Sequence, residues 1–377
     1  MSKTIRSFAY GAIAASISLG AVATEDASNT DKEKIEGIQW SLPAGPMYDP
    51  DFDFGLAAIP TALHQFDAGS RPSFTKMTAV YGSNDNWNLG FETDYYLLND
   101  KVRFLNYLGY TDAVFTLFDP DITQSLQKYA TISVSDWGNL SYEVVDNVHT
   151  GVSWNYSNVE MTERKLAEPL HLANMSSDDT LMQYGLYLNY STRDNNFYPT
   201  TGAYVDVQLM KSHLKKENAV IPNDYSTFIS NPNGKFNFET LKIDARYYYP
   251  LSNQTTLALR GGLKYNTNEA PKDLTVLNDV VRDFQGLSRE VTARSAVSGE
   301  AYVRHWFNDS WGMSTGLMAA QGIDTNVADQ DGVYFAGMIG IRYMLIPESN
   351  LSLRIDLTQS NQKEEGTLLY FRVGEAF

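Results

Sequence analysis

The chain has 377 residues, no cysteine, 24 Tyr, 18 Phe and a formal net charge of -16. The missing cysteines exclude disulfide scaffolds, thiol catalysis and cysteine-based metal sites, and an acidic balance without a basic face argues against a nucleic-acid partner. After the first 23 residues no run of 18 apolar residues occurs, so helical membrane spans are excluded too.

Lys3 and Arg6 begin the chain, an apolar run covers Ala9 to Leu19, and Ala21-Val22-Ala23 supplies small residues before the polar Thr24-Glu25-Asp26. That order predicts a cleaved signal peptide over 1-23 and a secreted mature chain. Residues 24-50 read as a periplasmic lead-in, and 51-377 as one strand-rich domain. Asp49, Asp51 and Asp53 resemble a calcium run but lack the ordered loop that would hold one.

From there residues alternate with period two. Leu241, Ile243, Ala245, Tyr247 and Tyr249 share one face, opposed by Thr240, Lys242, Asp244, Arg246 and Tyr248. Leu257, Leu259, Leu263 and Tyr265 oppose Thr256, Ala258, Arg260, Gly262 and Lys264, and Leu351, Leu353, Ile355 and Leu357 oppose Ser352, Arg354, Asp356 and Thr358. A polar face with both signs of charge, Gly and Tyr reads as a lumen. Strands in lipid must satisfy every backbone group among themselves, so the expectation is an all-β fold, a transmembrane antiparallel β-barrel in the bacterial outer membrane.

Sixteen segments fit: 51-66, 73-83, 87-98, 101-115, 126-135, 139-146, 148-160, 180-192, 202-212, 236-249, 255-266, 290-307, 311-322, 332-345, 350-360 and 366-377. Blurred alternation between Thr111 and Val159 leaves fourteen open. On this count the short turns at 84-86, 193-201, 252-254, 308-309 and 347-350 fall at one end, the periplasmic one. The long connections 161-179, 213-235 and 267-289 fall at the other. The last segment alternates to Phe377, an aromatic end that looks like the signal read by the barrel-assembly machinery.

Arg193-Asp194-Asn195 leading to Pro199-Thr200-Thr201-Gly202, then Val281-Arg282-Asp283-Phe284-Gln285-Gly286, and finally Phe371-Arg372-Val373-Gly374-Glu375-Ala376-Phe377 can be taken together. They resemble motifs of the bacterial surface antigen family, the superfamily containing BamA and TamA. The resemblance covers Tyr184 to Phe377, with a weaker match at Leu42 to Leu56. It implies sixteen strands with an extracellular loop folded inward, in which Arg282, with Asp283 and Phe284, meets inward acids in the regions of Glu300 and Asp356. Asp283 departs from the family's usual Gly and could itself pair with Arg282. The short stretch before strand one leaves no room for periplasmic POTRA domains, so the expectation is a standalone, monomeric member related to transport or membrane assembly.

The expected partners are outer-membrane lipids, the barrel-assembly machinery during biogenesis and a periplasmic partner. The five histidines, His64, His149, His171, His213 and His305, adjoin no serine motif, and there is no nucleophile elbow. A barrel phospholipase is therefore the weaker alternative, a passive pore the stronger one, and neither an enzyme nor a cofactor is expected.

Overall fold

A computed structural model describes residues 37–42, 44–49, 53–70, 73–83, 85–118, 126–162, 176–194, 198–220, 233–272, 293–324, 332–346, 351–361 and 367–373. The elements among them are all strands: β1 (Gln39–Ser41), β2 (Ala44–Asp49), β3 (Asp53–Ala58), β4 (Thr61–His64), β5 (Ser73–Gly82), β6 (Trp87–Leu97), β7 (Val102–Phe118), β8 (Leu126–Val145) and β9 (Val148–Thr162). There follow β10 (Ser176–Ser191), β11 (Gly202–Val220), β12 (Gly234–Ser252), β13 (Thr255–Asn266), β14 (Ser295–Trp306), β15 (Trp311–Ile323), β16 (Val333–Ile346), β17 (Leu351–Ser360) and β18 (Thr367–Val373).

These eighteen segments make sixteen rows. Both β3 and β4 pair with β5, at opposite ends of it, so they are one row interrupted at Ile59-Pro60. Proline has no N–H to give a ladder, although the Pro60 carbonyl still accepts Met77 N–H at 2.9 Å. Since β1 pairs with β4 and β2 with β3, they form a second interrupted row outside it. From β5 to β18 each strand pairs antiparallel with its successor.

Among the described residues no ladder joins β18 to β1 or β2. The closed β-barrel expected from the sequence is thereby corrected to an open antiparallel sheet of sixteen rows. Alternation assigns each residue to a face; it carries no information on whether the first and last rows meet.

Sixteen is also reached differently from the sequence count. The sheet begins at Gln39 rather than at residue 51, which adds a row. The two segments expected at 126-135 and 139-146 are one strand, β8, running straight through Asp136-Trp137-Gly138. Asp136 suggested a turn, yet its carboxylate is satisfied inside the sheet by Asn106 Nδ2 at 2.7 Å and Trp154 Nε1 at 3.2 Å. One error cancels the other from Val148 onward. It does not cancel before, so the turn at 83–86 moves to the end that carries 163–175, 221–233 and 267–294.

We call that the connection end and the opposite one the turn end. The turns at 98–101, 146–147, 253–254 and 307–310 knit the turn end together: Glu143 N–H donates to Lys101 O at 2.7 Å, Ser191 to Asn147 at 3.1 Å, Trp306 to Gln254 at 2.9 Å and Met344 to Ser310 at 2.8 Å.

The two faces of the sheet are opposite in character. Leu186, Leu317, Ile339 and Ile341 stand exposed on one, Leu317 at 72%. Arg260, Glu300, Arg304, Arg342, Arg354 and Asp356 are buried on the other, although no second layer of elements covers them among the described residues. Burial of a polar face without a covering layer requires the sheet to curve around it, so the polar face is concave and the apolar face convex.

Candidate functional site on the polar concave face

Carboxylates on the concave face are held between arginines of the same and neighbouring rows. On β12 and β13, Asp244 accepts Arg246 Nε at 3.1 Å and Nη2 at 2.6 Å, and Arg260 Nε at 3.1 Å and Nη2 at 3.0 Å. Arg260 Nη1 continues to Glu300 Oε1 on β14 at 3.7 Å, and Glu300 Oε2 accepts Tyr302 O–H at 2.8 Å. The spacing follows from the sequence, since residues two apart on a strand share a face and Arg260 lies directly opposite Glu300. Two-pronged guanidinium contacts of this kind fix geometry as well as charge.

A second group lies on β6 and β7, where Arg103 grips Asp94 with Nε at 2.8 Å and Nη2 at 2.9 Å and lies 5.4 Å from the Tyr96 ring centroid. A third lies on β16 and β17, where Arg342 Nη1 meets Asp356 Oδ1 at 2.5 Å and Arg354 approaches at 3.6 Å. Gly340 makes room for this pair: a Cβ there would fall 1.9 Å from Asp356 Oδ1. Between the charged groups runs an uncharged belt. Asn155 Nδ2 donates to Gln183 at 2.8 Å, Gln183 Nε2 to Ser212 at 2.8 Å, and the Thr240 hydroxyl to Asn266 Oδ1 at 2.7 Å.

The turn between β10 and β11 folds onto this face from the turn end. Asp194 accepts Thr200 N–H at 2.9 Å and Thr201 N–H at 3.2 Å, and also the Thr200 hydroxyl. Gly202 closes the turn at φ +101, where a Cβ would lie 2.1 Å from Thr192 O. Arg193 stacks 4.2 Å from the Tyr204 centroid. Tyr198 and Pro199 are buried: Arg304 of β14 donates to Pro199 O, and Trp306 Nε1 donates to the Tyr198 hydroxyl.

Glu300 and Asp356 both lie on the concave face, three rows apart, and each pairs with a strand arginine. The structure does not bring them together. Arg282, Asp283, Phe284 and Phe377 lie outside the described residues, as do residues 1–23, where a signal peptide is expected. Sequence reasoning passed over Arg304 and Trp306, although Arg304 shares the face of Glu300 two inward steps along β14. It also passed over Arg103 with Asp94, whose signal was the tight connection at 98–101.

Two carboxyls at the rims are held below their ordinary value. Asp324 is lowered by hydrogen bonding from Lys272, against a smaller opposing push from burial, with further help from Arg294. For Asp67, burial pushes upward but is outweighed by the Ser70 hydroxyl and the backbone N–H groups of Asn99, Leu98 and Gly69. Among the described residues no three His, Asp or Glu side chains converge to hold a metal.

The concave face thus carries a track of fixed charges interspersed with amide and hydroxyl groups. Comparison with curated proteins gives no match. Among solved structures the chain is similar to BamA from Haemophilus ducreyi lacking POTRA domains 1-3, with TM-score 0.51 and 13% identity over 90% of this chain and 75% of that one. It is also similar to CdiB from Acinetobacter baumannii, with TM-score 0.56 and 8% identity over 90% of this chain and 60% of that one. At such identities the likeness concerns the fold alone. Residues 71–278 match the Omp85 superfamily domain, over half of the chain, and the protein belongs to the Omp85 superfamily.

Proposed function

We propose that the protein sits in the bacterial outer membrane, crosses it with its strands, and takes part in transport or in membrane assembly along its polar concave face. The observation that carries this reading is the inverted polarity of the sheet, with charge inside and aliphatic side chains outside. Two aromatic bands on the convex face support it. Tyr142, Tyr190, Tyr247, Tyr249, Trp311 and Tyr343 lie towards the turn end, and Tyr81, Tyr156, Tyr184, Tyr265 and Phe335 towards the connection end. Phe335 and Tyr343 are eight residues apart on β16, about 26 Å along a strand, or about 20 Å across a bilayer at the usual tilt, close to the apolar band of membrane strands.

Within the superfamily, the residues Arg193-Asp194 and Pro199 to Gly202 support a reading of the chain as a relative of BamA and TamA, a monomer surrounded by outer-membrane lipid and delivered by the barrel-assembly machinery. A periplasmic partner would meet the turn end. A steady passive pore fits less well, because it needs a continuous wall around the path, which the described rows do not make.

The test is reconstitution in liposomes. Purified protein should speed the membrane assembly of an added β-stranded test protein, or pass a charged solute, relative to empty liposomes. Neither effect, or recovery of the protein in the soluble periplasmic fraction of cells, would sink the reading.

A further inference from the structure

The contacts of Tyr198 and Pro199 go beyond what a turn needs to connect β10 with β11. Local closure is already complete without them, through Asp194 on Thr200 and Thr201 and through the positive φ of Gly202. The two residues instead reach past β12 and β13 to β14. There the Tyr198 ring stands edge-on to Trp306 with centroids 6.1 Å apart, and Arg304 lies 4.9 Å from the Tyr198 centroid and 5.7 Å from that of Tyr248. We propose that Tyr198 and Pro199 form a latch that covers the turn-end part of the concave face and is held shut by Arg304 and Trp306.

The holding contacts differ in kind from those of the sheet. Arg304 donates to a neutral carbonyl, whereas Arg260 and Arg342 donate to carboxylates, and charge-assisted bonds are roughly twice as strong as neutral ones. The bond from Arg304 to the latch is thus of the weaker kind. Its hinges are at hand, since Thr192 and Gly202 meet where the turn leaves the sheet: Thr192 N–H donates to Ala203 O at 2.9 Å and its hydroxyl accepts Ala203 N–H at 3.0 Å. One inward step deeper than the Arg304 row lies Ala258, 3% exposed and opposite both Tyr248 and Tyr302. Opening the latch uncovers the row of Thr256 and Arg304 first and Ala258 next.

The chain's lack of cysteine makes the test clean. Ala258→Cys serves as the sole thiol, and its rate of reaction with a water-soluble maleimide is followed in the detergent-solubilised full chain, so the result does not depend on the membrane reading. The parent should label slowly. Tyr198→Ala, which removes the tip of the turn and leaves the wall around Ala258 intact, should raise the rate about tenfold or more, the loss of roughly 1.4 kcal/mol of closure. Tyr198→Phe, which removes the hydroxyl that accepts from Trp306 and leaves the ring in place, should raise it about threefold. A parent that labels as fast as a free thiol, or a Tyr198→Phe protein no faster than its parent, overturns the latch, whatever the folding of the alanine variant.

Discussion

At Gly202 the chain needs a backbone conformation that side-chain-bearing residues avoid, and the carbonyl of Thr192 fills the space a Cβ would take. Gly202→Ala should lower stability by about 1–3 kcal/mol, read as a fall in the urea midpoint of refolded protein; an unchanged midpoint would mean that the turn relaxes without cost. Asp324 makes a prediction with a sign. Its folded pKa is depressed from 3.8 by Lys272 and Arg294, so the rim contact contributes fully above the ordinary carboxylate range and is lost as pH falls through the depressed folded value. Proteolysis of the connection between β13 and β14 by an acid-active protease should therefore accelerate below about pH 4. In Asp324→Asn the rate should already be raised above that pH, within the working range of the same protease, and respond less to further acid.

Elements are held less by apolar packing than by pairs buried between rows. Arg342 and Asp356 are 2% and 0% exposed, and removing one member strands the other. Asp356→Ala should cost about 3–5 kcal/mol, whereas Arg342→Met with Asp356→Leu should cost much less. A double-mutant cycle on unfolding free energies measures this, and additive single losses would contradict it. The faces of β12, β13 and β17 were legible in advance because each of those strands alternates cleanly. Row one was not, because Pro43, Gly45 and Pro46 look like lead-in and its partners lie in a row itself broken by Pro60. β8 was misread because Asp136 next to Gly138 resembles a turn, and only its neighbours Asn106 and Trp154 show that the carboxylate can stay within a sheet. For the site, alternation assigns Asp356 to the polar face but cannot choose partners for it or for Glu300, since register across strands is set by turn lengths that the alternation does not encode.

For the whole molecule, the membrane reading turns on what surrounds the convex face. Leu259 lies on that face midway along β13. Leu259→Arg should destabilise the protein by about 2–4 kcal/mol in lipid if the position is near the bilayer midplane, and by little in a micelle that can deform around it. Equal effects in the two media would argue against a spanning sheet. The number of rows has a further consequence. Because sixteen is even, Gln39 enters the sheet and Val373 leaves it at the same end, the one bearing the short turns. Reporters inserted just before Gln39 and just after Val373 should then share one compartment, while a tag inserted at 221–233 should report the other; for anyone labelling this protein in cells, both borders of the sheet are handles on a single side.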